Sequence, residues 1–405
     1  MLGREGPMGA ARYDALLARA RALAADVLAP RANAADQADR PPVKQVRALA
    51  AAGLLGLTVP ARYGGHEAPR AVVRAYTEIL AAACGLTTFV QQQHLSACRL
   101  IAGGTNAALQ ADCLPAFAAG ARLCGVAFSH LRRPGPPLLR ATPAPDGGWV
   151  LDGTAPWFTG WGLMDEVVLG GTLPDGRLLY VLAPLDAGPA LTPSPPLRLC
   201  AFNASATVAL HCRGLRVGAE RHVKTTARAD LATADRGGVL DVTPQTFGVA
   251  LAASALVRAL AAERDSTVLR ATADALDAER EAARQAVETW LAVPSAPEQA
   301  AGVGGGYAAG LRLRAGCLAL AVRAAHAAVA ATGGGANARD QAAQRLYREA
   351  MAYTLLMQTA DVQAATLDRL AADAARATAA FTNPSRADLS SAASPGSWPE
   401  AVEHL

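Results

Sequence analysis

The spacing of hydrophobic positions changes twice along the chain. Up to about residue 120 and again beyond residue 243, apolar residues recur every three or four positions, which predicts helices. Between about residues 122 and 223 the spacing shortens toward two and turn signals separate short apolar runs, which predicts strands. The predicted helices span 13–25, 43–51, 71–83, 109–118, 246–263, 266–291, 308–331 and 340–375. The predicted strands span 123–128, 149–151, 166–169, 178–183, 206–210 and 215–217.

Helices, then strands, then four long helices make an α+β order in which the layers are segregated. The pattern predicts an N-terminal α-helical domain at 1–121 and a middle antiparallel β-domain at 122–236. A C-terminal four-helix bundle follows at 237–380, and the proline- and serine-containing tail at 381–405 is predicted to be irregular.

Composition excludes several classes of function. Of the 405 residues 52% are hydrophobic and 18% charged, and the net charge of +4 is spread without a basic block, so no nucleic-acid partner is expected. The apolar run at 247–257 stops at Arg258, short of the roughly 20 residues that span a bilayer, so no membrane association is expected. The N-terminus carries no signal-peptide pattern, which favours a cytoplasmic protein. Seven cysteines without a C-x-x-C pair argue against disulfides and a metal site.

Four motifs occur in the order and near the spacing of one known family. Residues 49–65 read LAAAGLLGLTVPARYGG, 124–129 read CGVAFS and 153–160 read GTAPWFTG. Residues 328–334 read AVAATGG and lead to RLYREA at 345–350. Together these segments resemble the acyl-CoA dehydrogenase family, and the segment 247–264 resembles the first helix of its C-terminal bundle.

The resemblance implies bound FAD, a homodimer or homotetramer, and an electron-transfer partner. By position it assigns Ser129 and Thr159 as hydroxyl contacts of the flavin and Trp157 as its stacking partner. It implies that Gly333 and Gly334 let the backbone approach the cofactor pyrophosphate of a neighbouring subunit, and that Arg264 binds phosphate. Ser266 and Thr359 keep hydroxyl groups at two further family positions.

The sequence departs from the family at the position of its catalytic glutamate, where this chain has Met357. A thioether cannot accept a proton at neutral pH, so Met357 cannot act as the general base. Asp241, on the segment that carries the base in some family members, and His130, after the flavin-contacting Ser129, are the alternative candidates.

Three functions therefore remain open. The first is an FAD-dependent oxidoreductase that acts on CH–CH bonds of an acyl thioester, for example an acyl-CoA, or a similar small molecule. The second is a reduced-flavin monooxygenase or oxidase, which needs no such base and for which His94, Ser129 and His130 are candidates near the flavin. The third is a flavin-binding scaffold without turnover.

Overall fold

The computed structural model describes residues 7–186, 188–293 and 305–382. Six α-helices precede the first strand: α1 (Pro7–Leu23), α2 (Ala32–Asp36), α3 (Val43–Ala51), α4 (Arg70–Ala83), α5 (Gly85–Ala102) and α6 (Ala107–Ala119). Short π and 3-10 turns at Ala24–Leu28 and Ala29–Arg31 join α1 to α2.

The bounds of helix α5 were not predicted, because the helix is buried on several sides and carries polar residues inside. Gln91, for example, is 2% exposed and donates to the Leu54 carbonyl and to Tyr76. A helix whose buried face includes satisfied polar side chains lacks the apolar stripe that sequence patterns detect.

One eight-stranded sheet follows, and it is mainly but not wholly antiparallel. Its strands are β1 (Cys124–Ala127), β2 (Leu139–Pro143), β3 (Trp149–Phe158), β4 (Glu166–Thr172), β5 (Leu178–Pro184), β6 (Leu191–Pro193), β7 (Val208–Val217) and β8 (His222–Thr226). The order is β6-β7-β3-β2-β4-β5-β8, with β1 paired to β4. The β1–β4 and β2–β4 pairs are parallel, which corrects the expectation of a purely antiparallel sheet. Strands β2, β6 and β8 were not predicted.

Within the described residues, six helices follow the sheet: α7 (Arg228–Gly237), α8 (Thr243–Glu263), α9 (Thr267–Ala292), α10 (Gly305–Thr332), α11 (Ala342–Leu355) and α12 (Ala360–Thr382). The single helix predicted over 340–375 is wrong, because the chain breaks between α11 and α12. Met357 lies in this break with φ +49°, a left-handed conformation that ends a helix.

Helix α8 is the centre of the bundle and packs against α4, α9 and α10. The predicted α+β class, with N-terminal helices, a middle sheet and C-terminal helices, is confirmed. The domain boundaries remain predictions, and residues 383–405 of the predicted irregular tail lie outside the described residues.

Two helical segments, Thr243–Glu263 and Gly306–Asn337, are long and apolar enough to cross a membrane by length and composition. From the sequence, the apolar run in the first of them was expected to end at Arg258. Half or more of the apolar window of each is buried within the protein, as in the core helices of globular domains. Length and apolarity are therefore weak evidence for membrane insertion here.

Candidate active site

The predicted site residues fall into two groups at opposite ends of α8. Asp241 lies two residues before α8 begins, and Arg264 directly follows its last residue, Glu263. A helix of 21 residues is about 30 Å long. One cofactor therefore cannot contact both groups within a single chain.

At the first end, the turn at 238–242 meets the break between α11 and α12. A Cβ atom on Gly238 would lie 3.1 Å from Asp241 Oδ2 and 3.3 Å from Met357 Cε. The carboxylate and the thioether therefore border the same point, although 116 positions separate them in the sequence. Thr359 belongs to the same break, where its hydroxyl accepts from Val362 N–H at the start of α12.

Asp241 is held by an ion pair but stays accessible. Arg70 Nη2 donates to Asp241 Oδ1 at 2.7 Å, and the side chains are 50% and 34% exposed, respectively. Exposed pairs of this kind contribute about 0–1 kcal/mol, so a substrate can compete for the carboxylate. Oδ2 is the oxygen on the side of Met357.

The segment that contains Ser129 reaches the same end of the bundle through α7. Ser129 begins a 3-10 turn, Ser129–Arg132, directly after β1 and Phe128. Arg132 makes a bidentate pair with Asp235, with bonds of 2.8 and 2.7 Å. Because Asp235 lies near the C-terminal end of α7, this pair links the Ser129 turn to the turn that carries Asp241.

Trp157 and Thr159 lie at the end of β3, beside β1. A Cβ atom on Gly125 of β1 would lie 2.6 Å from the Phe158 ring, so the two strands are in close contact there. Trp157 is 44% exposed and leaves a ring surface free for stacking. Thr159 is buried, and its hydroxyl hydrogen-bonds to that of Thr207 at 2.8 Å.

Both candidate histidines are engaged within the protein. His130 Nε2 lies 2.9 Å from the Gly170 carbonyl, and burial lowers the pKa of His130 to about 4. His94 accepts from Cys124 N–H at Nδ1 and faces the Phe117 carbonyl with Nε2, and burial lowers its pKa to about 4. Both rings are uncharged at neutral pH. In His94 both nitrogens are occupied, so the geometry favours a packing role for that residue.

At the second end, Arg264 and the glycine turn come together. Arg264 Nη1 donates to the Ala331 carbonyl at 2.7 Å, two residues before Gly333. Gly333 has φ +76°, and Cβ atoms on Gly333 and Gly334 would meet nothing within 4 Å. Ser266 caps α9 by accepting from Leu269 N–H. Open backbone beside a guanidinium fits a phosphate group that arrives from outside the chain.

Arg314 of α10 was missed by the sequence argument. It is 1% exposed and donates to the Val239 carbonyl at 3.0 Å and to the Leu356 and Met357 carbonyls. The segment 308–331 contains three arginines, and the available signal was that Arg314 lies in helical register with Leu318 and Ala321, at an apolar position. A separate groove of about 680 Å³ between α9, α10 and α12, bordered by Trp290, Arg312 and Arg369, contains none of the predicted site residues.

Comparison with known proteins places these features in a family context. The family described as "Acyl-CoA dehydrogenase, N-terminal domain" matches residues 11–121. "Probable acyl-CoA dehydrogenase FadE25" of Mycobacterium tuberculosis is 29% identical over 270 residues, which is 62% of this chain and 66% of that protein, just under two thirds of its length.

Two solved structures share the fold. Butyryl-CoA dehydrogenase from Megasphaera elsdenii has a TM-score of 0.73 at 19% identity, over 88% of this chain and 97% of that one. Dibenzothiophene monooxygenase from Paenibacillus sp. A11-2 has a TM-score of 0.71 at 18% identity, over 84% and 92%. The same fold thus occurs in proteins named as a dehydrogenase and as a monooxygenase.

Proposed function

We propose that the chain is a member of the acyl-CoA dehydrogenase family and an FAD-dependent oxidoreductase of acyl thioesters, in which Asp241 replaces the missing glutamate. The observation that carries this proposal is that Asp241 Oδ2 and Met357 Cε border the same point beside Gly238. A carboxylate is thereby brought to the position that Met357 leaves without a base.

In this proposal each residue has a separate task. When bound, FAD supplies the acceptor for the hydride that leaves the substrate β-carbon. The Asp241 carboxylate accepts the proton from the α-carbon, and Met357 forms an apolar wall beside it. The exposed ring of Trp157 and the turn at Ser129 would hold the flavin. Electrons leave through a separate electron-transfer partner.

We expect purified protein to contain non-covalent FAD and to be bleached anaerobically by an acyl-CoA. Butyryl-CoA and longer saturated acyl-CoAs would be titrated while the flavin absorbance is recorded, with the corresponding free acids as controls. Denaturation should release FAD. A protein that stays colourless after incubation with excess FAD would overturn the cofactor assignment. Bound FAD with no response to any acyl-CoA would overturn the substrate class alone.

We also expect a homodimer or a dimer of dimers. The two groups of site residues lie about 30 Å apart in one chain, so a complete site needs the second group of a neighbouring copy. An exposed apolar stripe on α11, formed by Tyr347, Met351 and Leu355 at four-residue intervals, provides a contact surface. Light scattering that finds a monomer with FAD fully bound would contradict the role given to Gly333 and Gly334.

A reduced-flavin monooxygenase is the second candidate, and one observation favours it. Met357 is 40% exposed and apolar where the family has its base, as suits an apolar substrate that undergoes no α-proton removal. The fold is shared with dibenzothiophene monooxygenase. Oxygen consumption driven by a flavin reductase on an aromatic substrate, with no bleaching by acyl-CoA, would favour this candidate.

A further inference from the structure

Three arginines bind the segment that carries Asp241. Arg70 donates to the Gly237 carbonyl as well as to Asp241. Arg74 donates to the Leu240 carbonyl at 2.9 Å and to the Thr243 hydroxyl at 2.7 Å, and Arg314 donates to the Val239 carbonyl at 3.0 Å. The carbonyls of Gly237 and Val239 lie at and after the C-terminal end of α7, where helical partners are missing, whereas that of Leu240 also accepts from the Thr243 N–H and hydroxyl. Guanidinium groups from α4 and α10 supply the donors instead.

Arg314 also binds the second segment of the site. Its Nη2 donates to the carbonyls of Leu356 and Met357, in the break between α11 and α12. One guanidinium therefore joins the turn of Asp241 to the break of Met357. The planar fork of an arginine can bridge several acceptors at fixed geometry, which a lysine ammonium cannot reproduce.

Arg74 and Arg314 make no direct ion pair, although the carboxylate of Asp241, in the turn that they bind, attracts both. Among the described residues, no Asp or Glu oxygen lies within ion-pair distance of either guanidinium. Burial lowers the pKa of Arg314 to about 10, so it remains charged at neutral pH. A buried unpaired cation is costly, and here the carbonyl dipoles offset the cost. The presence of such a cation is better explained by the geometry that it imposes on its neighbours than by a net contribution to the stability of the fold.

We infer that Arg314 is a positioning residue, which fixes the turn at 238–242 against the break at 356–359 so that Asp241 faces the point bordered by Met357. Only the expected effect of Arg314 on activity rests on the proposed function. The bridge itself is a property of the folded chain. Arg74 supports the same turn but does not contact the break.

Hydrogen–deuterium exchange on the FAD-loaded protein tests the bridge without relying on activity. In Arg314→Met we expect amides of both 238–242 and 355–360 to exchange at least about tenfold faster, with the remaining helices unchanged. In Arg74→Gln only the first segment should respond. Arg323→Met is the matched control, because Arg323 lies on the same helix, is exposed and pairs with Glu279. It should change neither segment.

Steady-state kinetics with an acyl-CoA test the consequence. A displacement of about 1 Å can cost about 10²-fold in rate, so Arg314→Met should lower kcat by about that factor while KM changes less than about threefold. Arg314→Lys should be intermediate, and added guanidinium ion should restore part of the rate in Arg314→Met. Arg323→Met should match the parent.

The outcomes distinguish the positioning role of Arg314 from the proposed role of Asp241 as the base. Unchanged exchange in both segments of Arg314→Met, or faster exchange throughout the chain, overturns the positioning role. Should Arg314→Met fail to fold, Arg314→Lys is measured in the same way and judged by the same criterion. Faster exchange confined to the two segments supports the bridge, even where Asp241→Asn leaves activity intact, and that result would overturn only the proposed base.

Discussion

Replacing Asp241 by Asn should lower kcat for an acyl-CoA by about 10² to 10⁴-fold, the range that a general base contributes. Asparagine keeps the shape of the side chain and an oxygen that can accept from Arg70, so the turn should stay folded. It cannot take up the α-proton. We therefore expect the flavin spectrum and the melting temperature to remain those of the parent while anaerobic bleaching becomes slow.

The matched control is Asp274→Asn, which removes the charge of an exposed carboxylate paired with Arg258 at 2.6 Å. It should leave kcat unchanged. A second experiment places a carboxylate at position 357 instead of 241. The double variant Asp241→Asn, Met357→Glu should have a kcat at least about tenfold higher than Asp241→Asn alone. Activity of Asp241→Asn within twofold of the parent would mean that another group removes the proton.

More of the layered fold than of the site could be predicted from the sequence. Period-two and helical spacing predicted most of the strands and bundle helices, because one face of each is buried against the core. Strand β6 has only 3 residues, and β8 has one buried residue among four half-buried ones, so neither gives such a signal. The break at 356–359 lies inside continuous helical spacing and depends on Arg314, which is distant in sequence.

Motifs identify the individual site residues, but they do not predict how these residues are arranged in space. Asp241 and Met357 meet only because the turn before α8 packs beside the break between α11 and α12. The predicted helix 246–263 already separates Asp241 from Arg264, but nothing local in the sequence indicates that Arg264 meets the turn of Gly333. Hydrogen bonds from buried arginines to carbonyls leave no periodic pattern, so the role of Arg314 required coordinates.

The largest expected effect on stability concerns a buried ion pair within α11, whose arginine also bonds to α2. Arg345 donates to Glu349 at 2.8 Å and to the Asn33 side chain at 2.7 Å, and the paired side chains are only 8% and 2% exposed. Replacing Arg345 by Met leaves a buried carboxylate without its cation, which typically costs about 3–5 kcal/mol. Domains are stable by only about 5–15 kcal/mol, so this loss is a large share.

The loss should depend on pH in a defined direction. Burial raises the pKa of Glu349 in the folded protein, and Arg345 opposes that rise, so removing Arg345 leaves burial unopposed. A carboxyl whose pKa is higher in the folded state than in the unfolded state binds more protons when folded. The penalty should therefore shrink as the pH falls from the raised folded value toward the unfolded value of about 4.3. Urea unfolding of Arg345→Met and parent at pH 8 and pH 5, at one protein concentration, measures this difference.

Two further variants make the test specific to the buried pair. Arg345→Met combined with Glu349→Leu removes both charges, and replacing a buried pair by apolar side chains is often neutral, so the double variant should recover most of the stability. Arg177→Met breaks the exposed pair with Asp175 in the turn between β4 and β5, and it should not change the melting temperature measurably. A loss below about 1 kcal/mol in Arg345→Met would show that the pair adds little. An equal loss at both pH values would show that proton uptake by Glu349 does not determine the loss.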